Sequence, residues 1–523
     1  MAMPAETRAT AVPAGRRWLN NVATGYTDIA VGGVIYVLLT PVLVQALGVE
    51  AYALWVLSHT VTFYLGLMDL GLGPAHVRFH ALYAARGRQR RLRALLATVV
   101  VALTLSGVLA ATAAGLLAVS PVATWLDLSG ELAAAAPLVL LLVAVNVLIS
   151  LPGSALENVY EGEQRFDLRN VRSIVLRLLA ASAQLALLLN GFGIVALVAV
   201  ELGIAMLRVA IDLCLVRRVA PQLLAPPFRA DRRLWRRIRP FALWAFVDDL
   251  LVEGSANLDR LLLVVLLPVA LLTPYVLCVA VATLLLLVVR PVAETLFPMA
   301  SGFHARGRTE DLTRVLVTGT RSVMLLTVPL AMVLILFGEG LLLFWVPTVE
   351  GLLPPGLLAL VVGTFLVAAV CWPATLVLMA LGRVRLVVAI TLTEVALIVF
   401  LALLLVPSLG LNGFALATLA SNLLVGVGLL APAVCRVTGV QLPWLVRVTA
   451  GRVLLPVFAA LLVAVPFTLW REAHDLLVFT VATLAVGAVY LPLCYLAGID
   501  RWDRMQVHSA IRRLYGTAMA GGR

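Results

Sequence analysis

The chain has 523 residues, of which 62% are hydrophobic and only 13% charged, about half the charged share of an ordinary soluble domain. Apolar runs long enough to cross a hydrocarbon core of about 30 Å recur from end to end. They exclude a string of folded soluble domains and predict an all-α polytopic membrane protein. The formal charge of +12 does not point to nucleic acid, because its placement follows topology.

About fourteen spans are expected. Residues 1–17 form a cytoplasmic tail ending in Arg16 and Arg17. An N-lobe of six spans covers 18–218, near 18–46, 51–82, 92–119, 133–160, 168–189 and 193–217. A basic cytoplasmic linker, 219–239, carries Pro226-Pro227 and a run of arginines. A C-lobe of six spans covers 240–437, near 238–263, 269–302, 313–337, 352–381, 384–406 and 411–435. Two extra helices occupy 438–498, and a basic tail, 499–523, includes an amphipathic stretch from Ile499 to Tyr515 that suits an interfacial helix or a solvated tail. The arginine groups fall in alternate connections: Arg86 to Arg93, Arg165 to Arg172, Arg217 to Arg239, Arg306 to Arg314, Arg383 and Arg385. The positive-inside rule then puts both termini in the cytoplasm, and a multi-pass protein of the bacterial inner membrane is expected.

An internal repeat supports two lobes. Ala85-Arg86-Gly87-Arg88 returns as Ala305-Arg306-Gly307-Arg308, and Gly162 and Arg165 are answered by Gly382 and Arg385, both at an offset of 220. Asn190-Gly191-Phe192 recurs as Asn412-Gly413-Phe414, and Asp28 falls opposite Asp248. Six spans between equivalent elements give the two lobes the same orientation, as in transporters with parallel repeats.

Ionisable side chains within spans cost a few kcal/mol, so they face a cavity or a partner. Arg177, Arg208, Arg260 and Arg290 stand in the fifth to eighth spans. Guanidinium binds phosphate in a bidentate manner and stays charged when dehydrated, so a cluster of them suits a pyrophosphate or acidic sugar. Local pairing is the competing reading for three: Arg208 has Asp212 and Arg290 has Glu294 one turn away, and Arg260 has Asp259 beside it. Arg177 lacks such a carboxylate and is the strongest ligand candidate. Asp28, Asp69, Asp248, Asp249, Glu253 and Glu394 are candidates for a coupling ion, the crowded trio at 248–253 most of all, unless nearby arginines neutralise them. Asp69-Leu70-Gly71-Leu72-Gly73-Pro74 should bend the second span. Asn146, Asn422 and Gln184 read as interhelical hydrogen-bonding groups.

No phosphate-cradling GxxxxGK[ST] loop, cofactor motif or catalytic constellation is present. The five cysteines show no CxxC spacing, so no metal or disulfide framework is expected. Only His304 and the cytoplasmic arginines favour an enzyme, and the outer loops are short.

The segment Leu67-Met68-Asp69-Leu70-Gly71-Leu72-Gly73-Pro74-Ala75-His76-Val77-Arg78 resembles the second span of Wzx-type polysaccharide exporters. Asn257 to Leu263, Met379 to Arg383 and Gly410 to Thr418 are similar to later spans of the same family. The likeness runs over nearly the whole chain and points to the multidrug/oligosaccharidyl-lipid/polysaccharide exporter superfamily. It implies a flippase, not an enzyme, that moves an undecaprenyl-pyrophosphate-linked oligosaccharide outward by alternating access. Arg177, Arg208 and Arg290 would hold the pyrophosphate or acidic sugars, and Arg78 would sit at the cytoplasmic gate. Membrane lipids, a polysaccharide polymerase and a chain-length regulator are the implied partners. An ion-coupled drug exporter of the same fold, with the acids near Asp249 binding cations, is the principal alternative, and a membrane enzyme of polysaccharide assembly is another.

Overall fold

The computed structural model describes residues 14–126, 128, 130–226, 229–305, 309–469, 476–494 and 496. Backbone groups in lipid must be satisfied within the chain, and helices do this by themselves. Among the described residues every regular element is helical. In chain order they are α1 (Ala14–Leu47), α2 (Val49–Gly66), α3 (Leu72–Ala85), α4 (Gln89–Val119), α5 (Val122–Trp125), α6 (Gly130–Gly162), α7 (Phe166–Leu189), α8 (Ile194–Val219), α9 (Arg232–Ala256), α10 (Leu258–Leu266), α11 (Leu272–Ala305), α12 (Thr309–Trp345), α13 (Leu357–Ala380), α14 (Val384–Val425), α15 (Ala431–Thr438), α16 (Leu442–Leu469) and α17 (Leu476–Leu493).

Eleven stretches among the described residues are long and apolar enough to cross a membrane. The expected count of about fourteen is reached in three further ways. Gly410, at φ 56° and ψ −131°, breaks the 55-residue stretch Val384–Thr438 into two crossings. The arginine-led α9 with α10 supplies another, and α17 the last. The molecule is thus an all-α polytopic membrane protein. The tail helix expected over Ile499 to Tyr515 lies outside the described residues.

Contacts divide the chain into two units, Met1–Thr273 and Pro274–Arg523. In the first, α4 lies along α6, α6 along α8, and α1 along α7, while α3 packs on α4, α6 and α9. Lipid tails give no hydrophobic drive for helix association, so close packing through small residues carries it. The α4 face shows the pattern: Leu103, Gly107, Ala110, Ala114 and Ala118 are buried at helical spacing, and Gly107 stands over Leu148 of α6. Gly153 of α6 likewise admits Val209 of α8, where a Cβ would collide with the valine methyl. The connection after α8 is no free tether, because Leu223, Leu234 and Ile238 join Leu72, Leu92 and Val159 in one buried cluster.

In the second unit α13 packs between α12 and α14, and α16 lies against α12 and α17. Leu296, Leu316, Val377 and Val434 belong to its larger core, and Val333, Ala460 and Tyr490 to a smaller one. Left-handed residues mark the corners between successive helices in both units: Gln164 and Gly191 in the first, Gly382 and Gly410 in the second.

The second span breaks where its glycines require it. Leu70 and Gly71 both have positive φ, and Asp69 closes the break as a cap. Its carboxylate accepts hydrogen bonds from Gly71 N at 2.7 Å and Gly73 N at 3.4 Å, groups that the first turn of α3 leaves unsatisfied. A Cβ at Gly71 would meet the backbone of Ala242 and Phe246, so glycine at the start of α3 lets α9 approach backbone to backbone there.

A cationic cavity in the first unit

Two of the sequence candidates meet. Arg177 of α7 and Arg208 of α8 line one cavity of about 300 Å³, together with Gly32 of α1, Gln184 and Glu201. Helical spacing explains the local placement: Ser173, Arg177, Ala180 and Gln184 recur along one face of α7, and Glu201, Ile204 and Arg208 along one face of α8. Gly32 leaves the room for Arg177, since a Cβ there would lie 2.6 Å from its Nη1.

The charges pair differently from the local expectation. Asp212 is not the partner of Arg208. Its carboxylate, 1% exposed, is held by Arg172, whose Nη1 donates to Oδ2 at 2.6 Å. Tyr160 adds its hydroxyl to Oδ1 at 2.9 Å, and Arg172 also reaches Glu157 at 2.9 Å. An i,i+4 pair on an exposed helix face is worth only about 0.2–0.5 kcal/mol, so a buried three-helix network displaces it readily. Arg208 is left with no hydrogen bond or ion pair among the described residues.

Arg177 does have a carboxylate, supplied by another helix. Its Nε stands 3.4 Å from Asp28 Oδ1 of α1, an ion pair without hydrogen-bond alignment, and 3.1 Å from Ser173 Oγ. Asp28 is therefore committed to a cation of the protein itself. Glu201 accepts a hydrogen bond from Gln184 Nε2 at 2.6 Å. Arg172 also lines the cavity but is taken by Asp212 and Glu157, and Arg177 is offset by Asp28, so Arg208 is the cation left to the cavity, with Glu201 in the same wall.

The other candidates lie elsewhere. Arg78 of α3 stacks over the Phe241 ring of α9 at 4.3 Å, a cation–π contact that needs no ligand. Arg260, at the start of α10, stands near Tyr36, Tyr52 and Tyr64, and its backbone N–H donates to Asp259. Asp69 is the cap described above. Asp249 lies on α9 and has further contacts. The side chains of Asp248 and Glu253 fall outside the described residues, so the acidic trio has no described geometry. Arg290 and Glu394 belong to the second unit, on α11 and α14, with Glu394 close to Cys371. The side chain of Glu294, the expected partner of Arg290, is also outside the described residues.

Sequence reasoning passed over two buried polar groups. Arg172 reads as one of three loop arginines, yet it is a core cation. Its signal is the spacing of Arg165, Arg169 and Arg172 against Glu157 and Glu161, two charged rows at helical intervals. The second group is His76 and His80 on α3, both fully buried, with His80 Nε2 2.9 Å from Glu163 Oε1. That hydrogen bond holds the Glu163 carboxyl below its ordinary range. Among the described residues no set of three metal-ligating side chains is in place.

The model of a polysaccharide biosynthesis protein family matches residues 88–346. Among curated proteins, no sequence matches the chain. Among solved structures, the lipid II flippase MurJ in an inward closed conformation superposes with a TM-score of 0.70 at 11% identity, covering 91% of this chain and 98% of that one. An inward-facing multidrug resistance MATE family transporter of the MOP superfamily gives 0.60 at 15% identity, covering 78% and 95%. The MATE transporter VcmN of Vibrio cholerae gives 0.52 at 16% identity, covering 81% and 98%. The fold is therefore the all-helical, multi-pass membrane fold that MurJ and the MATE transporters share. The match to a polysaccharide biosynthesis family, together with a MurJ- and MATE-like fold, supports the resemblance to Wzx-type exporters seen in the sequence.

Proposed function

We propose that the chain is a flippase that carries an undecaprenyl-pyrophosphate-linked oligosaccharide from the cytoplasmic to the periplasmic leaflet of the bacterial inner membrane by alternating access. The observation that carries this reading is Arg208, an intramembrane guanidinium with no partner among the described residues, in a cavity with Arg177. An unpaired cation at membrane depth is costly, and a pyrophosphate offers two charged groups to neutralise it. Each charge-assisted hydrogen bond is worth about 1.5–3 kcal/mol. The polysaccharide biosynthesis match over 88–346 supports the same substrate class.

In this proposal both termini lie in the cytoplasm, and a surface-polysaccharide polymerase and chain-length regulator act downstream. The two lobes of six spans with two added helices remain part of this proposal. A drug exporter of the same fold would want an unpaired acid facing its cavity, whereas the group without a partner among the described residues in the first-unit cavity is the Arg208 guanidinium. The test is complementation of a chromosomal deletion with Arg208→Ala and Arg177→Ala, each expressed at the wild-type level. Surface polysaccharide should fall at least tenfold, most for Arg208→Ala, while lipid-linked oligosaccharide accumulates. Full rescue by both variants would remove the cavity from the mechanism. Normal polysaccharide in the deletion strain itself, with new drug sensitivity, would favour the exporter of small molecules.

A further inference from the structure

Arg208 borders a second cavity, about 170 Å³ in volume, on the side of α2 and α6. Its polar lining comes from three helices: Ser58, His59 and Thr62 of α2, Asn146 and Ser150 of α6, and Glu201 of α8. Apolar Val143, Val198, Ile204 and Ala205 complete the wall. Hydroxyls, an amide and an imidazole within spans carry a desolvation cost unless something meets them.

The hydrogen bonds within the wall leave a definite set of free groups. Ser58 and Thr62 donate their hydroxyl protons to the carbonyls of Trp55 and Ser58, at 2.7 and 2.8 Å, so each keeps lone pairs to accept with. His59 Nδ1 lies 2.9 Å from the carbonyl of Trp55 and can only donate to it, which makes Nε2 an acceptor in the neutral ring. Asn146 Oδ1 accepts from Ser150 at 3.0 Å, leaving its two amide protons without a protein acceptor among the described residues. The cavity therefore presents acceptors on α2, donors on α6 and a mixed acid–guanidinium edge on α8. Donors and acceptors alternating around a small volume, over a partly apolar floor, match a sugar ring. Such a ring has hydroxyls that both give and take hydrogen bonds and a C–H face that does neither. A metal ion would need a denser set of acceptors, and a cationic drug would gain nothing from Arg208 or the Asn146 amide.

We propose that this chamber is the subsite for the first sugar of the substrate, the one joined directly to the pyrophosphate. The proposal rests on the flippase reading, which places the pyrophosphate at Arg177 and Arg208. Because Arg208 lines both cavities, a ligand whose phosphate meets it has its next ring within reach of the second. The chamber takes a single ring, so it reads the sugar at the reducing end and leaves the rest of the oligosaccharide unread. Asn146 and Ser150 are then specificity-determining residues, separate from the cations that supply affinity for any polyprenyl diphosphate.

The experiment uses the full chain in nanodiscs and compares binding of geranyl diphosphate with geranyl-pyrophosphoryl-glucose, -galactose and -N-acetylglucosamine. At least one sugar should raise affinity by about tenfold, the worth of one or two added hydrogen bonds. Asn146→Leu should erase that gain and leave geranyl diphosphate binding unchanged. Ser150→Ala is the milder companion should the leucine variant fail to fold, and it should reduce the gain severalfold. Arg208→Ala should weaken all four probes together. No gain with any of the sugars, or a gain untouched in both variants, would overturn the sugar subsite and leave the anion site standing. No binding of any probe to the wild type would overturn the anion site, and the subsite with it.

Discussion

Removing Arg172 should be the most damaging single polar change in the first unit. Its guanidinium, 6% exposed, holds Asp212 at 1% exposure and reaches Glu157 at 16%. Arg172→Met strips the carboxylate of Asp212 of its cation and leaves it only the Tyr160 hydroxyl at 2.9 Å. A buried charge stranded in this way costs about 3–5 kcal/mol. Asp212→Asn is gentler, because Arg172 keeps Glu157 at 2.9 Å and the amide keeps its shape; about 2 kcal/mol is expected. Tyr160→Phe loses two hydrogen bonds to charged groups, at 2.7 and 2.9 Å, and should cost about 1–2 kcal/mol. The double replacement Arg172→Met with Asp212→Leu should be less harmful than Arg172→Met alone, since no stranded charge remains. The assay is the apparent melting temperature in detergent, where the largest effect should exceed roughly 5 °C. Additive losses in the double variant, or a loss below about 1 kcal/mol for Arg172→Met, would refute the network. Asp212→Asn should also leave transport intact once stability is corrected for, because Arg208 does not depend on Asp212.

Gly71→Ala should destabilise by at least about 2 kcal/mol, because it adds positive-φ strain to a Cβ facing the Ala242 and Phe246 backbone; yield and melting temperature read it. Gly32→Val should push the Arg177 guanidinium aside, lowering transport severalfold with little change in melting temperature; an equal loss of both would contradict a positioning role. The depressed carboxyl of Glu163, caused first by its hydrogen bond with His80, stabilises the fold fully above its ordinary value of 4.5. That contribution fades as pH falls through the lower folded-state value. Glu163→Gln should therefore flatten the acid side of the stability curve, as melting scans across pH would show.

Span count and the break in the second span were legible because each is local. Apolar length sets a crossing, and Asp69-Leu70-Gly71 supplies in three residues the cap, the turn and the close approach to α9. The break at Gly410 is local too, but the sequence marks it only as a loop between two apolar runs, and the helices press together there with Gly413 against Leu405. Charge pairing was not legible. Arg208 and Asp212 are neighbours on one helix, yet Asp212 is taken by Arg172 from 40 residues away. Arg177, which has no carboxylate one turn away, finds Asp28 on α1. Spacing along a helix names the possible local partner, and packing of several helices decides the actual one. The cluster of Arg177 and Arg208 was legible as residue type and depth, whereas its polar annex around Asn146 was read only as interhelical hydrogen bonding. Three helices had to converge before those side chains enclosed a volume.

The most direct measurement is the leaflet distribution of undecaprenyl-linked oligosaccharide in a strain lacking this chain, with and without the wild-type gene restored. Access from the periplasmic face to a membrane-impermeant glycosidase reads it. The account predicts sugar trapped on the cytoplasmic side in the deletion, released by the wild type and not by an equally abundant Arg208→Ala. Equal periplasmic exposure in the deletion and the restored strain would contradict it.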